Sequence, residues 1–176
     1  MQEKNTGLST TNSNKRFIML ICLPATGKSS YRKKHHENDF VISTDDMLMA
    51  LGKVYGIESY SKCFGIFVSA ANEKKTFKKL MEYSLEHDVV VLDRTNLKVE
   101  DRKTFIDFYK EAGYRIEAVY FNPSDEAHKN FIASRPDKRI PDHVYETMRE
   151  HFVIPDIDEG FDEFREICVD KPNFQY

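Results

Sequence analysis

The residues best suited to chemistry lie together at Cys22-Leu-Pro-Ala-Thr-Gly-Lys-Ser29. They meet every fixed position of the pattern G-x-x-x-x-G-K-[ST] except the first, where Cys22 stands in place of glycine. Such a loop holds phosphate oxygens by turning backbone N–H groups inward, and glycine lets the chain approach closely. Read this way, Leu23, Pro24, Ala25, Thr26 and Gly27 form a cradle that Ser30 extends. Lys28 would reach the β- and γ-phosphates and the Ser29 hydroxyl would hold Mg²⁺, so ATP with Mg²⁺ is the expected ligand. A helix opening at Lys28 adds partial positive charge at the same spot. The plainer reading is a chance turn before a helix. Against it stands the strand–turn–helix order that the motif requires and the sequence supplies.

A second group, Ser43-Thr-Asp-Asp46, follows the short apolar segment Phe40-Val-Ile42. A hydroxyl attacks phosphorus poorly until a base takes its proton, and a carboxylate at Asp45 or Asp46 suits that task. The competing role is capping of the next helix by Ser43, Thr44 or Asp45. Both roles are compatible if different residues take them.

The third group is Asp93-Arg-Thr-Asn96, which ends the apolar run Val89–Leu92. An acidic residue at such a strand end suits the water shell of Mg²⁺, which makes Asp93 and Ser29 the candidate metal ligands. Thr95, Asn96 and Arg102 would either orient an acceptor or fix the turn and the start of the next helix. Further on, Arg135-Pro-Asp-Lys-Arg139 forms a basic loop bounded by Pro136 and Pro141. An arginine closing over a transferring phosphoryl group stabilises its spread charge, with Arg135 the first candidate and Arg139 the second. Lys74, Lys75, Lys78 and Lys79 read as a solvated helix face, and Arg32, Lys33 and Lys34 fit either a solvated or a functional face.

These groups need a scaffold, and the sequence predicts an α/β one. Phe17–Leu23 and Val89–Leu92 are continuous apolar runs, as expected of strands buried on both faces. Arg115–Phe121 alternates, with Ile116, Ala118 and Tyr120 on one face and Val119 and Phe121 on the other. Glu166–Val169 is a candidate last strand. Helical spacing predicts helices over 28–36, 46–51, 99–112, 125–134 and 141–152, with Gly52–Gly56 ending the second. Phe64, Phe67, Val68, Ala71, Phe77, Leu80, Met81 and Leu85 make the intervening segment mostly helical. Strands alternating with helices imply a parallel sheet with helices on both faces, whose ligands lie beyond the strands' carboxyl ends. We read residues 1–15 as a flexible leader and 16–176 as one domain.

Composition narrows the class. With 40% hydrophobic and 31% charged residues the chain is globular in type, and its apolar runs are too short to span a bilayer. Three cysteines without metal-ligand spacing, and no secretory signal, point to a cytoplasmic protein. A net charge of −3 argues against general affinity for nucleic acid, while allowing a local basic site.

Taken in order, these groups resemble the kinase domain of bacteriophage polynucleotide 5′-hydroxyl kinase and related P-loop kinases. The resemblance covers about Phe17 to Phe152 and includes the phosphate loop, Asp45-Asp46, Asp93-Arg-Thr-Asn-Leu97, Arg102 and Arg135 ahead of Ile140-Pro141. It implies that Asp45 is the general base, that Arg135 belongs to a lid, and that Lys28 and Ser29 serve ATP and Mg²⁺. The implied acceptor is the 5′-hydroxyl of a nucleic acid. Leu48 stands where those kinases carry an arginine that grips the acceptor's phosphate, and Phe131 where a second lid arginine is usual. Two other functions compete: a kinase of the same fold with a small acceptor (a nucleoside, nucleotide, sugar nucleotide or modified base), and a nucleotide-binding module without chemistry.

Overall fold

The apolar run after Lys15 becomes β1 (Arg16–Ile21), the middle strand of five. It pairs in parallel with β3 (Val89–Asp93) on one side and β4 (Arg115–Pro123) on the other. Beyond β3 lies β2 (Phe40–Ser43), and beyond β4 lies β5 (Glu163–Val169), giving the order β2-β3-β1-β4-β5, all parallel. A central parallel strand has both faces covered, which is why β1 is apolar at successive positions. The computed structural model describes residues 14–67, 70–134 and 140–169. Nearly all of the expected leader, and both Arg135 and Arg139, lie outside them.

The helices are α1 (Lys28–His35), α2 (Thr44–Val54), α3 (Tyr60–Phe67), α4 (Ala70–Ser84), α5 (Val99–Glu111), α6 (Asp125–Ala133) and α7 (Asp142–Glu150). A short 3-10 turn at Ile157–Glu159 leads into β5. None of the described helices is long and apolar enough to cross a membrane.

Strand alternation divides the core in two. Phe17, Met19 and Ile21 point to the face covered by Phe77 and Met81 of α4 and by Phe105, Ile106 and Tyr109 of α5. Ile18 and Leu20 point to the other face, with Cys22, Tyr31 of α1, Val119 and Phe121. The rings of Phe17 and Tyr109 stack with centroids 3.8 Å apart. Each such buried side chain contributes about 1.5–3 kcal/mol relative to exposure.

Two element boundaries and one burial differ from the sequence expectation. Helix α2 runs through Gly52 to Val54, and the chain turns only at Gly56, where φ is 69°. Gly52 is needed for close approach: a Cβ there would meet Cys63 Sγ at 2.3 Å and the Ile57 carbonyl oxygen at 2.6 Å. Strand β5 begins at Glu163, three residues early, because this edge strand is paired through charged side chains such as Arg115–Glu163 that carry no apolar signal. Phe64, expected on an apolar face, is 49% exposed.

Candidate active site

The carboxyl end of β1 feeds the phosphate loop. Cys22 donates its backbone N–H to the Thr95 carbonyl at 3.1 Å, tying the loop's first residue to the segment after β3. Its side chain is buried in the second core cluster, so the position held by glycine in the motif is filled here from below. Burial pushes the Cys22 thiol up, which keeps it an inert packing group. Ala25 and Gly27 both have left-handed backbones, with φ of 60° and 87°. Thr26, also buried, closes the turn by donating from Oγ1 to the Leu23 carbonyl at 3.2 Å. A left-handed alanine is costly, and such strain gathers at binding loops.

Gly27 is the N-cap of α1, and no side chain caps the helix there. The first turn holds no acidic residue either, so its N–H groups meet no local anion. Ser29 and Ser30 are exposed on that turn. Lys28 Nζ lies 2.6 Å from Asp93 Oδ1 at the end of β3, and the lysine side chain is largely buried. One turn along α1, Arg32 Nη1 pairs with Asp93 Oδ2 at 3.0 Å and with Asp46 Oδ2 on α2. A single ladder of charges thus runs Lys28–Asp93–Arg32–Asp46, joining the ends of β1, β3 and β2.

The capping alternative for the acidic pair falls on Ser43. Its hydroxyl accepts the Asp46 backbone N–H at 3.2 Å, so neither carboxylate is needed as the cap. Asp45 is exposed and accepts a hydrogen bond from Tyr60 Oη of α3 at 2.7 Å. Burial, and then the hydrogen bond to Asp45, push the Tyr60 phenol up, so it stays a neutral donor. Asp46 meets a guanidinium and Asp45 a phenol.

The residues after β3 serve mainly as scaffold. Arg102 is fully buried and holds Glu159 through Nε and Nη2, while Nη1 donates to the carbonyls of Asn96, Leu97 and Val153 at 3.0–3.1 Å. That reach is filled, so Arg102 fixes the turn rather than orienting an acceptor. Asn96, buried with φ of 52°, donates to the Leu20 carbonyl at 2.7 Å and does the same kind of work. Thr95 lines a cavity of about 130 Å³ with Lys98 and Asp101, closed on the far side by Thr147, Met148 and His151. Leu48 also departs from expectation. It is wholly buried while Asp45, one turn back, is exposed, so the leucine packs into the protein and offers nothing to an acceptor phosphate.

Three contributors carried little signal in the sequence. Arg32 had one, its place one turn after Lys28 on the same helix face. Tyr60 had none. Nor did His128 of α6, whose Nε2 lies 2.7 Å from the Pro24 carbonyl in the phosphate loop. Tyr145 of α7 meets the same imidazole at 3.0 Å, so the two helices flanking residues 135–139 are fastened to the loop through one ring.

A five-stranded parallel sheet with this loop between β1 and α1 has the P-loop kinase fold. The sequence profile described as an AAA domain (AAA_33) matches residues 17–155, and the chain belongs to that family. Among curated relatives, the bifunctional polynucleotide phosphatase/kinase of Schizosaccharomyces pombe is 21% identical over 160 residues, 89% of this chain and 34% of that protein. The chain spans about a third of the length of the curated relatives it matches. Among solved structures, a gluconokinase from Sinorhizobium meliloti 1021 superposes with a TM-score of 0.57 at 16% identity, covering 89% of this chain and 84% of that one. The Mycobacterium tuberculosis APS kinase CysC, in complex with AMPPNP and APS, gives 0.53 at 14% identity, covering 93% and 91%.

Proposed function

We propose that this protein is an ATP-dependent kinase that transfers the γ-phosphate to a hydroxyl, with the 5′-hydroxyl of a polynucleotide as its acceptor. The observation that carries the proposal is the charge ladder from Lys28 through Asp93 and Arg32 to Asp46, which brings an acidic pair up to a phosphate loop. The N–H groups of the loop and of α1 would hold the phosphates of ATP. Lys28 turns from Asp93 toward the β- and γ-phosphates. Asp45 takes the acceptor's proton as the new O–P bond forms and the bond from the γ-phosphorus to ADP breaks. Arg32 keeps Asp46 and Asp93 from repelling each other beside this reaction.

Ser29 and Asp93 offer a hydroxyl and a carboxylate, hard oxygen donors that fit Mg²⁺ and would hold it there. When bound, the ion neutralises part of the charge on the β- and γ-phosphates. Arg135 is the proposed lid arginine and Arg139 its neighbour. The fastening of α6 and α7 to Pro24 through His128 and Tyr145 supports a lid at that position. Arg135→Ala is expected to lower kcat by about 10²–10³-fold with little change in ATP affinity, the pattern of a charge needed at the transition state. A larger loss in Arg139→Ala, measured in parallel, would reassign the role.

A second reading, transfer to a small acceptor, is favoured by the burial of Leu48, which withholds a phosphate grip from that position. The deciding experiment incubates the protein with γ-labelled ATP, Mg²⁺ and a panel of 5′-hydroxyl DNA and RNA, nucleosides and small polyols. Label on the oligonucleotides, falling steeply with salt, is the expected result. Label on small acceptors alone would establish the second reading. ATP binding without transfer to any acceptor would leave a nucleotide-binding module.

A further inference from the structure

The α2–α3 hairpin holds one aromatic ring against the carboxylate assigned above as the base, and a second ring beside the first. Tyr60 Oη donates to Asp45 Oδ1 at 2.7 Å, so one ring starts at that carboxylate. One turn further along α3, the Phe64 ring lies with its centroid 6.1 Å from that of Tyr60, the two planes inclined at 36°. Phe64 is 49% exposed and belongs to neither core cluster. The hairpin that carries them is tightly closed. Ile57 donates its N–H to the Gly52 carbonyl at 2.8 Å, Cys63 Sγ reaches the Ile57 carbonyl at 3.6 Å, and no Cβ fits at Gly52. Rings set this firmly lose little freedom when a ligand covers them.

Among the described residues, the α2 position one turn after Asp45 offers an acceptor no polar grip, and α3 carries a single cation, the exposed Lys62. Leu48 is core, and α3 has neither an acidic residue in its first turn nor a basic one in its last. A polyol or sugar acid brought to Asp45 would set hydroxyls against aromatic carbon, losing water without replacing its hydrogen bonds. A planar ring one sugar away from the reacting hydroxyl would instead stack on the exposed face, as bases do on aromatic side chains in single-strand binders.

We infer that Phe64, steadied by Tyr60, is the stacking platform for the terminal base of the acceptor, so that the enzyme selects a nucleoside end by its base. The inference rests on Asp45 as the general base, and its test separates the two. Two 5′-hydroxyl oligonucleotides are compared as acceptors, identical except that one has an abasic 5′-terminal sugar. A third oligonucleotide carries 2-aminopurine at its 5′ end, whose fluorescence is quenched by stacking and needs no phosphoryl transfer to report.

The wild type is expected to favour the base-bearing end over the abasic one by about tenfold or more in kcat/KM, and to quench 2-aminopurine on binding. Phe64→Leu, at a half-exposed position that keeps the fold, is expected to bring the preference within about threefold and to abolish the quench. Tyr60→Phe keeps the ring and the preference and lowers kcat. Equal use of abasic and normal ends, or a preference and quench that survive Phe64→Leu, overturns the inference even where transfer is brisk. Quenching lost in Phe64→Leu, with no transfer by any variant, would uphold the platform and refute the kinase reading. Neither quenching nor transfer in the wild type refutes both.

Discussion

Helices α1 and α2 both start at the carboxyl edge of the same sheet, yet their first turns carry opposite chemistry. At α1 the N-cap is a left-handed glycine, no side chain caps the turn, and no acidic residue occupies it. At α2 the N-cap Ser43 satisfies the Asp46 N–H, and Asp45 and Asp46 fill the first turn with negative charge. An uncapped helix start leaves N–H donors and partial positive charge for an outside anion. A capped, acidic start repels phosphate and offers a carboxylate to a proton. On the function proposed above, the difference separates a phosphate-donor side from an acceptor side, and Arg32 spans the two by pairing with Asp93 and Asp46.

The comparison is broken most severely at α1. Lys28→Ala is expected to reduce transfer by about 10³-fold or more, since the positioned charge on the phosphates goes with it. The native melting temperature without nucleotide should change little, because Lys28 belongs to neither core cluster and Asp93 keeps Arg32 as a partner. Retained activity in a steady-state assay would disprove the donor assignment. Removal of the bridge comes next. Arg32→Ala takes the shared cation from between Asp46 and Asp93 and leaves Asp93 with Lys28 alone, and kcat is expected to fall by about 10–10²-fold as their geometry loosens. A pH–rate profile unchanged from wild type, with full kcat, would show that the two ends work independently. The acceptor side is tested by Gly52→Ala, which forces a Cβ against Cys63 Sγ and the Ile57 carbonyl. A loss of about 1–3 kcal/mol in denaturant unfolding is expected. A neutral result would mean that α2 and α3 adjust freely, and that Tyr60 is held less firmly on Asp45 than the contacts imply.

How much of this was legible in the sequence depends on how local each signal is. The phosphate loop and β1 declare themselves within a dozen residues, through a motif and an unbroken apolar run. The parallel sense of the sheet follows because such strands must be joined by crossing helices, whereas the order β2-β3-β1-β4-β5 comes from the structure alone. Arg102 stayed open between two roles because its partners Glu159 and Val153 lie more than fifty residues on, where no spacing rule connects them. Leu48 lies three residues from Asp45, which puts both on roughly one side of a helix. That spacing does not say which side the protein covers. Tyr60 and His128 act through partners in other elements, Asp45 and Pro24, and so left no mark in their own neighbourhoods. Ser43 was one of three possible caps, and only the hydrogen bond to Asp46 chose among them.

The central claim is that a hydroxyl gives up its proton to Asp45, at the start of α2, as its oxygen attacks a phosphate held at the start of α1. Single-turnover transfer from γ-labelled ATP to a 5′-hydroxyl oligonucleotide, in Asp45→Asn beside Asp46→Asn, tests it most directly. The account predicts a rate about 10²–10⁴-fold below wild type for Asp45→Asn, with the ATP dissociation constant nearly unchanged, and a smaller loss for Asp46→Asn. A larger loss at Asp46, or small and equal losses at both, would contradict it.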